Sequence, residues 1–314
     1  MIRTPARLPV PCREALSAPR RVDDPRPLTF LGTEGLDVYN ISVPFDCDGK
    51  TYLAGRVEPR DSELSCVRIF EKTGEDTYTA VLPEMTFRHL QDPFVTRVGD
   101  EIVLGGVQVI THPIDDRKII SWQTLFFRGR TPGDLKLFAQ GPAKMKDIRL
   151  CSLSDGRIAV FSRPQGKKGG LGRIGFTVIG SLRDLCPDTV LDAPVDPSFF
   201  PEDEWGGAND VHLLKNGLLG VMGHWACRAE GALHYHAMAF VMDPLTGEHT
   251  APRIIACRSD ITASPVCKRP DLRDVLFTGG IQRIADGQAV LYTGVSDCEA
   301  WRAVIPDPFA SFEA

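Results

Sequence analysis

Five two-residue turn signals punctuate this chain, and each is followed by an apolar, strand-like run. The turns are Asp48-Gly49, Gly99-Asp100, Asp155-Gly156, Asn216-Gly217 and Asp286-Gly287, spaced 51, 56, 61 and 70 residues apart. The runs read TYLAGRV, EIVLGGV, RIAVFSR, LLGVMGH and QAVLYTG. Asp-Gly and Asn-Gly are strong hairpin signals because a type I′ turn needs positive φ at both central residues; Gly-Asp fits that turn less well. A hairpin unit cannot bury both its faces alone, so similar units at this spacing predict a closed, stacked body. The expected fold is all-β, a five-bladed β-propeller.

Length alone, 314 residues, would suggest two domains, but the repeat argues for one. We expect an irregular N-terminal arm over 1–26, wrapping the body or closing the last blade, and a single propeller domain over 27–314. Residues 181–204 form the longest irregular insertion and read as a lid or rim loop. A net charge of −5, with Lys167-Lys168 as the one notable basic pair, argues against nucleic-acid binding. Nine cysteines without a C-x-x-C pair, several of them (Cys66, Cys151, Cys267) in apolar strand patterns, read as reduced thiols of a cytoplasmic protein. The Arg- and Pro-rich start lacks the apolar core of a secretory signal, and no run approaches membrane-spanning length.

Counting seven or eight residues back from each turn reaches Asn40, Asp92, Asp147, Asn209 and Thr278. Counting seven forward reaches Arg56, Val107, Arg163, His224 and Gly294. A hairpin sets these two groups side by side at the end opposite the turn. One rim is therefore expected to gather Asn40, Arg56, Asp92, Asp147, Arg149, Arg163, Asn209, Asp210, His224 and Asp297. Each has a plain reading: Asp92 before Pro93 as a turn former, Arg163 as a loop end, His224 as a satisfied core histidine, Trp205-Gly206-Gly207 as a tight loop. Matched offsets make the functional reading stronger for the set than for any member. His234 and His236 share a strand face, but the sequence shows no third ligand, so no metal site is expected. Nucleophile elbow, phosphate loop and dinucleotide fingerprint are absent.

The segment QDPFVTRVGDEIVL resembles the Glu-Asp-Pro-Arg segment of the mannoside phosphorylases of glycoside hydrolase family 130. KDIRLCSLSDGRIAVFSRP is similar to their Lys-Asp/Asn…Arg-Pro segment, LLGVMGHWA to their Tyr-His-Gly strand, and VLYTGVSD to their closing Gly-Ala-Ala-Asp stretch. The likeness spans roughly 28–306 in the same order. Gln91 stands where that family has Glu and Phe94 where it has Arg. This drift looks closer to the parasite β-1,2-mannan mannosyltransferase/phosphorylases, which are similar in fold.

The resemblance implies an inverting enzyme with one catalytic carboxylate, Asp92. It implies a phosphate pocket of Lys146, Arg149, Arg163 and His224. It implies sugar contacts from Asp37, Asn40, Arg56, Asp147, Trp205, Asn209, Asp210 and Asp297. The co-substrates would be inorganic phosphate or GDP-mannose, with mannooligosaccharide as partner and no separate cofactor. The alternatives are a hydrolase on the same scaffold, which needs a second carboxylate such as Asp147 or Asp210, and a non-catalytic sugar-binding propeller.

Overall fold

The structure, a computed structural model, describes residues 2–5, 9–81, 85–115 and 118–313. Strands dominate, in four hydrogen-bonded sheets. One is built around Asp37–Tyr39, Lys50–Glu58, Cys66–Lys72 and Thr77–Ala80. A second runs Leu90–Val98, Glu101–Thr111, Ile119–Gly129 and Lys136–Gln140. A third runs Lys146–Ser152, Ile158–Arg163 and Gly175–Ile179. The eight-stranded sheet holds two antiparallel groups. Trp205–Leu213, Leu219–Ala229 and Ala232–Met242 form the first, and Asp274–Arg283, Gln288–Val295 and Glu299–Pro306 the second. Only two parallel pairings, His234 with Asp274 and Tyr235 with Val275, join them.

All five expected hairpins are present, with turns of three kinds. Asp48 and Gly49 both take positive φ between the paired Cys47 and Lys50, as a type I′ turn requires. At Gly99-Asp100 only the glycine is positive, between the paired Val98 and Glu101. Glycine first is the pattern of a type II′ turn, so the dipeptide that fitted worst also closes a two-residue hairpin. At the other three sites one more residue joins the turn, and the loop closes through Leu153–Arg157, Leu214–Leu218 and Ile284–Gln288 backbone bonds. At the first two of these only Gly156 and Gly217 are left-handed, as in a three-residue loop with a glycine bulge, whereas at the third Asp286 and Gly287 both are.

The N-terminal arm is more ordered than its composition suggests. Asp23–Pro27 is a strand antiparallel to Glu299–Pro306, so the boundary expected at residue 26 falls inside it. Upstream, the fully buried Cys12 opens a short helix and donates its backbone N–H to Glu204 at 2.8 Å. Residues 181–204 are not a free lid. Phe199 and Phe200 are fully buried, in one cluster with Trp225 and Phe240. Burial on this scale anchors the segment, at roughly 1.5–3 kcal/mol per large apolar side chain. All nine cysteines are free. Cys151 is buried and Cys66 half-buried, but Cys267 lies in a loop rather than a strand.

Candidate active site

The candidate residues sit where the first strand of each group departs from regular pairing. The register breaks opposite Asp92, between Gly105 and Val107. It breaks again between Lys146 and Arg149, between Ala208 and Asp210, and between Thr278 and Gly280. A β-bulge adds a residue and re-aims its side chain. Asn40, Asp92 and Asp147 take φ of 44°, 47° and 58°. Asn and Asp tolerate this left-handed region better than other side chains, which is why these residue types recur at the bulges.

Two charge clusters result. In the first, Asp92 accepts hydrogen bonds from Asn40 Nδ2 at 2.8 Å and Arg56 Nη1 at 3.2 Å. Arg56 also donates to Glu58 at 2.9 Å and Glu63 at 3.0 Å. Lys268 closes the group by binding Glu58, and Ser62 O at 2.7 Å. Asp92, Arg56 and Glu58 are all buried. Burial pushes the Asp92 carboxyl up, but Arg56, Lys146 and the Asn40 amide outweigh it and hold Asp92 below the usual carboxylate range. Asp297, beside the same group, goes the other way. Burial pushes it up to about 6, Arg56 opposing and the Asp92 charge adding to the rise.

In the second cluster, Asp147 Oδ2 lies 2.8 Å from Arg163 Nε and 3.9 Å from His224 Nε2. Burial works against the Asp147 charge, but Arg163, His224, Lys146 and Arg149 hold it well below the carboxylate range. Burial, with the neighbouring cations, pushes His224 down to about 3 although Asp147 opposes it, so the imidazole is neutral at pH 7. Its Nδ1 lies 2.8 Å from Asn209 Oδ1, and its ring stacks on Tyr235 at 5.4 Å. Gly207 makes room: a Cβ there would lie 3.1 Å from both the Asp147 Cβ and the Arg163 Cδ.

Beside these clusters opens a cleft of about 760 Å³, lined by Gln91, Trp122, Lys146, Arg163, Trp205 and Tyr235 among others. Lys146 makes no hydrogen bond or ion pair among the described residues, and it acts electrostatically on Asp92, Asp147 and His224 alike. It is the cation the two clusters share. Buried polar atoms without a hydrogen-bond partner among the described residues concentrate here: Asn40 Oδ1, Trp122 Nε1, Asn209 Nδ2 and His224 Nε2. Buried polar atoms are normally paired, so this concentration suits a polar ligand.

Three expected residues are placed otherwise. Arg149 donates to Asn209 O at 2.8 Å and Ile148 O at 3.1 Å and lies over the Phe94 ring at 4.5 Å; its Nη2 stays 4.0 Å from Asp147 Oδ1, but it does not line the cleft. This accounts for Phe94: its ring serves as a face for Arg149. Gly105 admits it, since a Cβ there would lie 2.0 Å from Phe94 Cε1. Asp210 accepts from the Ile281 N–H at 3.1 Å and pairs with His212 at 2.8 Å. Asp37 is held by Arg60 at 2.8 Å, in a different depression beside Leu36 and Cys298. Trp205 does line the cleft, its Nε1 donating to Tyr235 OH at 3.1 Å. Gln91 reaches the Glu63 carbonyl at 3.1 Å and so ties its loop to the cleft.

The sequence reading missed Glu58, Glu63, Lys268, Trp122 and Tyr235. Glu58 had a signal, two residues after Arg56 and so on the same strand face. Lys268 had none, since its stretch is irregular and lies 210 residues from the Glu58 it binds.

The family described as "Protein of unknown function (DUF1861)" matches residues 14–311. The chain belongs to this family. Its DUF1861 fold is shared with a mannose phosphorylase from Leishmania mexicana, solved in complex with phosphate ion. That structure is 38% identical, with a TM-score of 0.88 over 96% of this chain and 94% of the other. A GDP-Man-dependent mannosyltransferase from Leishmania mexicana is 36% identical, with a TM-score of 0.86 over 96% of each chain. The β-1,2-mannobiose phosphorylase of Listeria innocua, at 14% identity and a TM-score of 0.64 over 95% of each chain, shares the fold. No curated protein matches the chain.

Proposed function

We propose that this chain is an inverting mannoside phosphorylase and mannosyltransferase, built as a five-bladed β-propeller and acting on β-1,2-linked mannooligosaccharides. The blade count rests on treating the two antiparallel groups of the eight-stranded sheet as separate, since only two parallel pairings join them. The observation that carries the function is the shared cation. Lys146 lies in the cleft with Arg163, next to His224, and within electrostatic reach of the buried Asp92.

In phosphorolysis a phosphate oxygen bonds to the anomeric carbon as the bond to the departing sugar oxygen breaks. Asp92 gives that oxygen a proton, directly or through a sugar hydroxyl. Lys146 and Arg163 hold the phosphate, the guanidinium matching its geometry with paired donors, and the neutral His224, its Nδ1–H given to Asn209, accepts the phosphate O–H at Nε2. Asp147 aims Arg163. In the absence of ligand, Asp92 is an ionised carboxylate. Phosphate dianion against Lys146 and Arg163 offsets the cations that lower Asp92, and so favours its acid form. In transfer, the ionised Asp92 takes the acceptor hydroxyl proton while the same cations hold the leaving nucleotide phosphate of GDP-mannose. Asn40, Arg56, Asn209, Asp297 and Trp205 border the sugar, and no separate cofactor is needed. Arg149, Asp37 and Asp210 have structural roles. Nine free cysteines suit a reducing cytoplasm. No helix among the described residues is long and apolar enough to cross a membrane.

A hydrolase would need a second carboxylate to activate water. Asp147 is paired with Arg163, and Asp210 with His212 and the Ile281 N–H, so neither is available. The test is incubation with β-1,2-mannobiose and phosphate, and separately with GDP-mannose and acceptor. Mannose 1-phosphate or chain extension is expected. If neither appears, the reading fails; free mannose released without phosphate favours the hydrolase. Sugar binding without turnover, unchanged in Asp92→Asn, favours a lectin. Arg163→Ala is expected to raise the KM for phosphate more than that for mannoside.

A further inference from the structure

Away from the cleft, a second group of ligating side chains remains unexplained. His234 and His236 alternate on one face of Ala232–Met242, and Asp274 is brought beside them by the parallel pairing of His234 with Asp274. One ligand atom from each of the three lies within 4.8 Å of the others. This supplies the third ligand that the sequence did not show.

The hydrogen bonding of the two histidines is mismatched. His234 faces an acceptor at each ring nitrogen: Asp274 Oδ2 lies 2.6 Å from Nδ1, and the Ala229 carbonyl 3.3 Å from Nε2. A neutral imidazole has one N–H and can serve only one of them. His236 is the reverse. It is 1% exposed, and neither ring nitrogen has a hydrogen-bond partner among the described residues. Apart from Arg68 Nε and Ser162 Oγ, the other such buried atoms border the candidate active site. Arg20, a cation that acts on His236, is already paired with Asp260 at 3.0 Å.

We propose that His234 Nδ1, His236 and Asp274 bind a zinc-like divalent transition-metal ion at the junction of the two strand groups. Two imidazoles and a carboxylate are a common donor set for such ions, with water completing a tetrahedron. The ion takes the place of the proton between His234 and Asp274, which is released to solvent. The Nε2–H of His234 then donates to the Ala229 carbonyl, the outer hydrogen bond that metal-bound histidines usually make. His236 gains the partner it lacks. By side-chain rotation the ligand atoms settle about 3.3 Å apart, the spacing tetrahedral bonds of this length impose: His234 Nδ1 and Asp274 Oδ2 open from 2.6 Å as the proton between them leaves, and His236 closes in. The ion adds a cross-link at a junction whose backbone pairing is only two residues long, beside the apolar packing of Ala237 and Ala239 with Leu276. It also acts on the cleft: Tyr235, between the two histidines and pointing to the opposite face, stacks on His224 and accepts from Trp205.

The test uses full-length protein stripped with EDTA, then titrated with zinc chloride by calorimetry and with cobalt chloride by absorption spectroscopy. The expected result is about one equivalent bound, tetrahedral cobalt bands, and a thermal midpoint raised by a few degrees in excess zinc. His236→Gln is expected to abolish the cobalt bands. Asp274→Asn, at a half-exposed position that tolerates change, is expected to weaken zinc binding at least about tenfold. Absence of stoichiometric binding overturns the proposal, as does binding unchanged in both variants, which would place the ion on the free cysteines instead.

Discussion

The two halves of the candidate site use charge in opposite ways. Around Asp92 the network is nearly closed: the Asn40 amide nitrogen, Arg56, Glu58, Glu63 and Lys268 are paired within the protein, and Asn40 Oδ1 is the one member atom without a partner among the described residues. Around Asp147 it is open: Lys146 is unpaired, and Asn209 Nδ2 and His224 Nε2 have no partner among the described residues. The closed half holds one carboxylate in one place. The open half keeps cations available to an incoming anion. A general acid–base group needs fixed geometry, and a phosphate site needs free donors, so the division suits the proposed chemistry.

The largest expected effect breaks the closed half at its reacting atom. Asp92→Asn keeps the shape and the Asn40 contact but removes the proton carrier. Turnover is expected to fall by roughly 10²–10⁴-fold with circular dichroism unchanged. A rate within tenfold of the parent would remove Asp92 from the mechanism.

Next is stability in the same half. Arg56→Met leaves Glu58 and Asp92 buried without their shared cation, and is expected to cost about 3–5 kcal/mol in urea unfolding. A loss below about 1 kcal/mol would mean that Lys268 alone sustains the network.

The open half is expected to respond in the other currency. Lys146→Ala removes no internal partner, so stability should stay within about 1 kcal/mol. The KM for phosphate is expected to rise by about 10–100-fold, the value of one charge-assisted contact. A large stability loss here would erase the contrast between the halves.

The smallest effect is a pH signature at Asp297. Its folded-state pKa is raised to about 6, above the unfolded value, so its stabilising contribution is fully present below about pH 4. That contribution is lost as pH rises toward 6. Asp297→Asn should therefore gain on the parent between pH 4 and pH 7, by at most about 2 kcal/mol, with thermal midpoints as the measure. A gap that does not change with pH would show that Asp297 titrates normally. Asp92 has the opposite sign: its depressed pKa gives stability present at neutral pH and lost in acid.

Much of the site was legible because propeller-like hairpins make sequence offset a measure of position. Turns such as Asp48-Gly49 mark one end of each hairpin, and seven or eight residues away lies the other. That arithmetic found Asn40, Arg56, Asp92, Asp147, Arg163, Asn209 and His224 from local pattern alone. Arg149 and Asp210, which the count does not reach and which lie one residue beyond bulged positions, turn to the Asn209 carbonyl and to His212 instead. A bulge changes which way the next side chain points, and nothing in the neighbouring residue types reveals it.

What the chain determined by itself was the strand period, the turn positions and the residue types able to hold a left-handed backbone at a bulge, because these are local properties of φ and side-chain branching. Only the tertiary structure decided which charges were satisfied internally and which stayed available. It set Glu58 against Lys268, turned Arg149 onto Phe94, and brought Asp274 to His234. Such pairings depend on distances between segments far apart in sequence, and electrostatic energy is governed by those distances and by burial.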